Sequence, residues 1–450
     1  GSYTVTTLEE KDRLRRPMPP FTTSSLQQDA ANKLNFTTKK TMMVAQQLYE
    51  GVEIKGRGTV GLVSYIRTDS VRISDEARDA SRAFITENFG KEYYAGTVYS
   101  NKKKDIQDAH EAIRPSHMEI VPDSIKDLVT KDQYNLYRLI WNRFMASQMS
   151  PAKFKAVSAV ITNGDYSFKA TGSKLLFDGF LRVYSPGKDG DEDKWLPHLE
   201  KGETLEPVKL EGVQNFTQPP ARFTEASLVK DLEEKDIGRP STYAPIVATL
   251  SDRKYIVKEK KSLVPTDLGF IVTELMEQYF REIVDAGFTA QMEENLDDIE
   301  VKGIQWKSVI RDFYGTLKEE LEVADKEIQK VEFEVELTGE NCEKCGKPMA
   351  VKYGRFGPFA ACTGYPECKN TKPIVKTIDV KCPVCGKDIV ARKSKKGRVF
   401  YGCSGYPECT QSFWNKPVNK KCPECGSLLV EKKTKDSQYA CSNSECSYKE

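Results

Sequence analysis

Gly61-Leu62-Val63-Ser64-Tyr65-Ile66-Arg67-Thr68-Asp69-Ser70 reads as a short buried strand that ends in polar residues. A tyrosine so placed has two readings. It is a packed ring at a strand end, the commoner case, or it is a nucleophile flanked by groups that grip a phosphate. Catalytic side chains favour such ends, because a rigid element aims them from a loop. Immediately after, Ser74 is an N-cap for a helix carrying Ala77, Ala80, Phe84 and Ile85 on one face and ending near Gly90.

Upstream, residues 3–20 read as a strand, Tyr3-Thr4-Val5-Thr6-Thr7, then a charged link broken by Pro17, Pro19 and Pro20. Thr and Ser at 22–25 can cap a helix running to about Leu34, and a second helix is expected from Lys39 to Glu50. Residues 51–61 are Gly-rich and read as loop. Downstream, Asp108-Ala109-His110-Glu111-Ala112-Ile113-Arg114-Pro115 sets His110 and Arg114 at i, i+4 before a helix-breaking proline. A surface histidine is the plain alternative there. Val157–Thr162 and Tyr166–Ala170 alternate around Asn163-Gly164-Asp165, a hairpin signal. The acidic run Asp189-Gly190-Asp191-Glu192-Asp193 reads as a solvated turn, not a metal site, since no buried strand leads into it. Residues 221–330 read as helical: Glu225–Lys235, Tyr243–Asp252, Asp267–Phe280 and Ile304–Ala324. Ser241 or Thr242 can cap the second of these, and a helix N-terminus accepts a phosphate. By itself that is an ordinary cap.

The chain has 450 residues and a net charge of only +2, but the charge is divided. Residues 341–450 hold 21 Lys and Arg against 10 Asp and Glu, net +11, which leaves 47 against 56, net −9, for residues 1–340. All 12 cysteines lie in the basic part. Such asymmetry points to a polyanion as partner of one region. No run approaches the ~20 apolar residues of a membrane span. Gly1-Ser2 resembles the scar of a removed tag and is left out of the fold reasoning.

The cysteines form a repeat. Cys342, Cys345, Cys362 and Cys368 are followed by Cys382, Cys385, Cys403 and Cys409, and then by Cys422, Cys425, Cys441 and Cys446. Four thiolates in two pairs suit tetrahedral Zn²⁺, and three small ribbons of this size draw their folding energy from the metal. Gly346, Gly386 and Gly426 follow each close pair, where a positive φ is needed. A disulfide framework and an iron–sulfur site are the alternatives; a large cysteine-free body argues against the former. The ribbons carry Tyr353, Phe356, Phe359, Tyr365, Phe400, Tyr401, Tyr406, Phe413 and Trp414 beside cations, with a basic run holding Arg392, Lys393, Lys395 and Lys396. Cations that track phosphates and rings that stack bases describe single-strand binding, although small ribbons also use rings as core. Tyr439 and Tyr448 leave the third ribbon the least equipped.

Taken together and in order, several stretches resemble the type IA family of bacterial DNA topoisomerases. They are Ser25-Leu26-Gln27-Gln28, Lys39-Lys40-Thr41-Met42-Met43, Gln47-Leu48-Tyr49-Glu50, Ser64–Ser70, Ala109–Pro115, Pro220-Ala221-Arg222-Phe223-Thr224, Gly238-Arg239-Pro240-Ser241-Thr242-Tyr243 and Met292-Glu293-Glu294-Asn295-Leu296-Asp297. The resemblance implies a multidomain α+β fold. It consists of part of a torus followed by three zinc ribbons. The parts are a β arch (3–20 and 151–220), a nucleophile domain (21–150), a helical DNA-binding domain (221–330) and ribbons at 341–370, 381–411 and 421–448.

The resemblance also implies a function: ATP-independent relaxation of negatively supercoiled DNA. Tyr65 would form a 5′-phosphotyrosine on single-stranded DNA, a second strand would pass, and the break would be resealed. Arg67 would stabilise the phosphoryl group. Thr68, Asp69, His110, Arg114, Arg239, Ser241 and Thr242 would contact DNA, with Glu50 near the cleavage site and Arg253 a further contact. Family members open with a Toprim domain whose Glu and Asp-x-Asp-x-Glu acids bind Mg²⁺. The match begins after that region, so the expectation is a piece with little cleavage of its own. A cytoplasmic, nucleoid-associated monomer is implied. Three rivals stand beside this reading: a topoisomerase III-like decatenase, a non-catalytic single-strand binder, and a platform whose ribbons dock a protein such as RNA polymerase.

Overall fold

The computed structural model describes every residue except 1, 55, 101–109, 186–194, 329–336, 355–356, 375–376, 394–398, 432–437 and 444. The acidic run at 189–193, Asp108, Ala109, Phe356, Lys395 and Lys396 lie outside the described residues, as do the side chains of Tyr353 and Lys393. Helices and sheets are mixed, and the chain divides into two compact units, 1–328 and 329–450. No described helix is long and apolar enough to cross a membrane.

In the first unit, a four-stranded sheet joins distant parts of the chain. Strand Tyr3–Arg15 lies between Ala152–Asn163 and the short strand Thr204–Leu205, with Tyr166–Phe177 on the outside. The first strand is therefore far longer than Tyr3–Thr7. The charged run Glu9-Glu10-Lys11-Asp12-Arg13 is paired strand, not link, and is registered against Arg13↔Phe154 and Glu10↔Val157. The sheet is a ribbon wet over much of its surface, so charge does not forbid pairing. The hairpin closes as expected at Gly164-Asp165, with Asn163↔Tyr166 as the last pair and Gly164 at φ 58°.

The core of the unit surrounds helix Lys131–Gln148, capped by Thr130 in a reciprocal box with Gln133. Leu136, Tyr137, Leu139, Ile140, Trp141, Phe144 and Met145 are all buried. Lys131, Asn135, Arg138 and Asn142 form the stripe left toward solvent, at the 3.6-residue period of an amphipathic helix. Around it pack Thr23–Asp29 (continued by a π-type turn, Ala30–Leu34), Thr38–Glu50 and Asp75–Asn88. Ser74 caps the last as expected, its hydroxyl accepting from the Ala77 amide at 3.3 Å. The Gly-rich stretch after Glu50 is a small hairpin, Val52–Ile54 with Gly58–Val60, and not simply loop.

Buried Arg143 closes the seam at the foot of the sheet. It donates to the Pro19 carbonyl at 2.6 Å and the Tyr184 hydroxyl at 3.0 Å, and it faces Asp29 at 3.4 Å. Lys33 shares that carboxylate at 3.2 Å, and burial lowers its pKa despite Asp29.

Beyond residue 221, helices Glu225–Glu234, Tyr243–Asp252, Asp267–Tyr279 and Trp306–Glu327 appear near their expected places. Added to them are the hairpin Ile256–Glu259/Ser262–Pro265 and the helices Arg281–Val284 and Ala286–Val301. Helix 225–234 docks on the core through Ser24, which donates to Glu233 at 2.7 Å, and through Glu225, which accepts from the Thr38 amide at 2.8 Å and from Lys258 at 2.9 Å.

In the second unit the period of 40 residues is visible in the strands: the ribbons open at Leu337, Thr377 and Pro417, ahead of each first cysteine. The first two have four strands and the third has three. The second and third share one core, in which Val380, Ile389 and Phe413 meet Leu428 and Val430. The first has its own, built on Met349, Ala360, Cys342 and Cys362.

Candidate functional site

Residues 61–70 do not form a strand. The segment is irregular, bent at Ser64, Ile66 and Arg67, with a single bridge, Val63↔Pro115. Burial alternates along it: Ile66, Thr68 and Ser70 point inward, while Tyr65, Arg67 and Asp69 face out. The tyrosine, the cation and the carboxylate are thus all left exposed while the residues between them are buried.

What replaces a ladder is a set of side-chain bonds. Thr23 Oγ donates to the Ile66 carbonyl at 2.7 Å and accepts from the Thr68 amide at 2.9 Å, and the Thr23 amide donates to the Thr68 carbonyl at 2.9 Å. On the other side Ser64 Oγ donates to the Ala112 carbonyl at 2.7 Å and accepts from the Arg114 amide at 2.9 Å, and the Ser64 amide donates to the Arg114 carbonyl at 2.9 Å. The helix Thr38–Glu50 is tied in by the Leu62 amide, which donates to the Leu48 carbonyl at 2.8 Å. A Cβ on Gly61 would lie 2.9 Å from the Tyr49 carbonyl oxygen, so this approach needs glycine.

Tyr65 is 36% exposed, and its ring is flanked by two others. Tyr49 meets it edge-on at 5.6 Å and 69°, and His110 lies over it at 4.9 Å and 32°. No hydrogen bond reaches its hydroxyl among the described residues. Arg67 is exposed and has no carboxylate partner among them.

The other expected arginines are placed differently. Residues 110–115 are irregular backbone, not helix, so the i, i+4 spacing does not stack His110 on Arg114. Arg114 instead donates to Glu111 at 2.7 Å and to the Pro115 carbonyl at 2.9 Å. Burial alone would raise the Glu111 carboxyl, but the Arg114 guanidinium and the Ser74 donors outweigh it and hold its pKa below the usual carboxylate range. Arg239 reaches Asp297 at 2.5 Å and Glu293 at 3.8 Å, joining two of the stretches singled out in the sequence.

Thr68, expected at the surface, is 2% exposed, and its hydroxyl accepts from the Ser70 amide at 3.0 Å; inward-facing parity removes it from contact. Thr242 stands at the N-cap of Tyr243–Asp252 but does not cap it. Its hydroxyl accepts from the Arg239 amide at 2.8 Å and donates to the Arg239 carbonyl at 3.2 Å, closing the turn that presents exposed Ser241. Beneath this turn, burial first and then Glu233 push the Tyr243 hydroxyl up, with Arg239 opposing and Asp69 adding; the Asp69 side of the tyrosine segment thus lies within electrostatic reach of this loop. Glu50 ends the Thr38–Glu50 helix, accepting from Gln46 at 2.7 Å. Arg253 sits at the opposite end of helix Tyr243–Asp252 from Thr242. Thr23, Ser64, Glu111 and Tyr49 had no role assigned from the sequence. Thr23 reads there as a cap-region threonine, and nothing in its neighbours reveals a partner 43 residues on.

The cysteines meet as expected in all three ribbons, including the degenerate third. Within each group the sulfurs lie within 4.8 Å of one another. Paired sulfurs stand at 3.7 and 3.2 Å in the first and second ribbons and at 3.7 and 3.3 Å in the third. Disulfide sulfurs would be about 2.05 Å apart. Thiolates about 2.3 Å from one Zn²⁺ come to about 3.8 Å from each other, close to the wider pair of each ribbon, with the other pair tighter. Gly346, Gly386 and Gly426 take φ of 71°, 75° and 75°, and amides such as Gly364 N–H donate to sulfur at 3.3 Å, a second layer that supports thiolate. Outward, Arg392 lies over Tyr406 at 5.6 Å and Lys352 over Tyr365 at 5.7 Å; Tyr406 and Tyr365 are 61% and 64% exposed. Phe413 is buried in the shared core, and Tyr401 packs against it, so some of the ribbon rings are structural.

Residues 1–311 match the family model described as DNA topoisomerase. Residues 339–377, 379–418 and 419–450 each match the model of the topoisomerase DNA binding C4 zinc finger. Among solved structures, the full-length topoisomerase I from Thermotoga maritima is similar at 36% identity with a TM-score of 0.65, over 88% of this chain and 62% of that one. The chain thus spans less than two thirds of the length of the Thermotoga protein.

Proposed function

The chain belongs to the bacterial type IA DNA topoisomerases, and from that premise we propose that the whole protein relaxes negatively supercoiled DNA through a covalent bond to Tyr65. The observation that carries this reading is the exposure of both Tyr65 and Arg67 on one short segment, with Arg67 free of carboxylates among the described residues.

The phenolic oxygen attacks a backbone phosphorus of single-stranded DNA. A bond from Tyr65 to the 5′ phosphate forms, the bond from phosphorus to the 3′ oxygen breaks, and that oxygen takes up a proton. One phosphodiester is exchanged for another, so ATP is not consumed. A free tyrosine has a pKa near 10, and charge gathers on the phosphate oxygens in the transition state. Arg67 is placed to meet that charge. His110, which lies against the Tyr65 ring, and Asp69, Ser241 and Thr242 are the further DNA contacts of this reading. Arg114 and Arg239 already hold carboxylates, so each either trades its partner for a phosphate or serves by ordering its segment.

Zinc in the ribbons is structural: four thiolates leave no open position for chemistry. Mg²⁺ is another matter. Among the described residues the only groups of three or more suitable ligands are the cysteines, and the sequence has no Asp-x-Asp-x-Glu acids on a buried strand. These residues do not fit a Mg²⁺ site, and no step here passes through one. We expect residues 1–450 by themselves to cleave little. The ribbons hold single strand, as supported by the exposed ring–cation pairs at Tyr365 and Tyr406.

The test is capture of the covalent adduct on a labelled single-stranded oligonucleotide by the whole protein. Tyr65→Phe should abolish the adduct and leave binding nearly intact. An adduct that persists in that variant refutes the assignment.

A further inference from the structure

We propose that Tyr49 is a positioning residue for the nucleophile: its ring sets the angle from which the Tyr65 hydroxyl is offered. The inference rests on the reading of Tyr65 given above and deepens it.

Three observations converge. First, the Tyr65 hydroxyl has no polar anchor among the described residues, so the ring is held only through its flanks. Second, those flanks are Tyr49 at 5.6 Å, edge-on, and His110 at 4.9 Å. An edge-to-face pair at this separation is directional, because the positive ring edge seeks the negative face. Third, the backbone that carries Tyr49 is tied to the segment that carries Tyr65. Tyr49 lies in the last turn of Thr38–Glu50, next to fully buried Leu48, whose carbonyl accepts from Leu62 three residues ahead of Tyr65. Gly61 lets the two backbones close to contact at the Tyr49 carbonyl. A substitution at Tyr49 therefore acts on the Tyr65 ring with little room for the backbone to adjust.

An exposed tyrosine side chain otherwise samples several staggered χ1 wells. Attack at phosphorus demands an oxygen held to a fraction of an ångström, so each idle well costs rate in proportion to its population. Tyr49 and His110 flank the ring and favour the well in which it meets both. His110 belongs to the residues proposed to meet DNA, whereas Tyr49 has the ring contact alone; its hydroxyl bonds to nothing among the described residues. The ring, not the hydroxyl, is the working part.

The experiment compares Tyr49→Phe, Tyr49→Leu and Tyr49→Ala in the whole protein. Single-turnover adduct formation and affinity for the same single-stranded oligonucleotide are measured separately. Tyr49→Phe should cleave within about twofold of wild type, and Tyr49→Ala roughly three- to ten-fold slower, the factor a ring pair is worth, with affinity unchanged. Tyr49→Leu keeps the buried area without the ring edge and should resemble Tyr49→Ala. A second readout needs no cleavage. The Tyr65 ring resonances, identified by their loss in Tyr65→Phe, should shift in Tyr49→Ala and stay in place in Tyr49→Phe. Wild-type cleavage by Tyr49→Ala overturns the proposal. So does a loss confined to affinity, which would make Tyr49 a stacking surface for bases. An adduct in Tyr65→Phe would instead overturn the underlying assignment, so the two failures are distinct.

Discussion

Thr23→Val tests what holds the Tyr65 segment in place. The substitution keeps the shape and removes one oxygen. In the native protein that oxygen donates to the Ile66 carbonyl at 2.7 Å and accepts from the Thr68 amide at 2.9 Å, and Thr23, Ile66 and Thr68 are all buried. Valine strands one acceptor and one donor where water is excluded. The remaining backbone bond from the Thr23 amide to the Thr68 carbonyl does not serve either group. A buried group left without its partner costs about 1–3 kcal/mol, so the pair together should cost about 2–3 kcal/mol after partial relaxation toward the exposed side. A 328-residue unit does not melt in one step, so a global midpoint is the wrong measure. Native-state hydrogen exchange of the Thr68 amide reads the local opening directly. It should accelerate roughly 30- to 150-fold in Thr23→Val, while Thr23→Ser, which keeps the hydroxyl, should stay within about threefold of wild type. Adduct formation should fall alongside, because a looser segment offers Tyr65 less often in line. Unchanged exchange at Thr68 would refute the idea that this hydroxyl replaces the missing strand ladder.

Glu111→Gln should release Arg114 and loosen residues 110–116 by about 1 kcal/mol, since the pair is only partly buried. The Glu111 pKa is lowered in the folded state, so its contribution is present above the usual carboxylate pKa and is lost as the pH falls through the lowered value. Protection of this segment, corrected for the pH dependence of intrinsic exchange, should therefore fall on acidification in the wild type and stay flat in Glu111→Gln; parallel curves would remove the ion pair from the account. Chelation should unfold the ribbons, and Cys403→Ala should loosen the third ribbon as well as the second, because Leu428 and Val430 lie in their common core. Cys362→Ala should leave the third ribbon unaffected, and full protection of 428–441 in Cys403→Ala would sink the coupling. Arg392→Ala should weaken single-strand binding and reduce the magnitude of its log–log salt slope by about 0.7; an unchanged slope would favour a protein-docking role for this face.

Some of this protein is legible without a structure. The zinc ribbons are, because their ligands fall within about thirty residues and a four-coordinate ion dictates the rest. So are the cap at Ser74 and the turn at Gly164, where local chemistry suffices. The strand through Glu9–Arg13 is not, because its pairing partner lies some 140 residues on and its polar faces mimic a linker. At the site, the order of motifs marks the family and singles out Tyr65 and Arg67 as candidates, and the fold leaves both exposed. What surrounds them comes from elsewhere in the chain. Thr23, Tyr49 and His110 are brought to one tyrosine by packing, and Arg114 and Arg239 find carboxylates that no spacing foretells. Types and short spacings are written locally. The rings, donors and countercharges that aim a side chain converge only when distant segments share one core, and that convergence belongs to the tertiary structure alone.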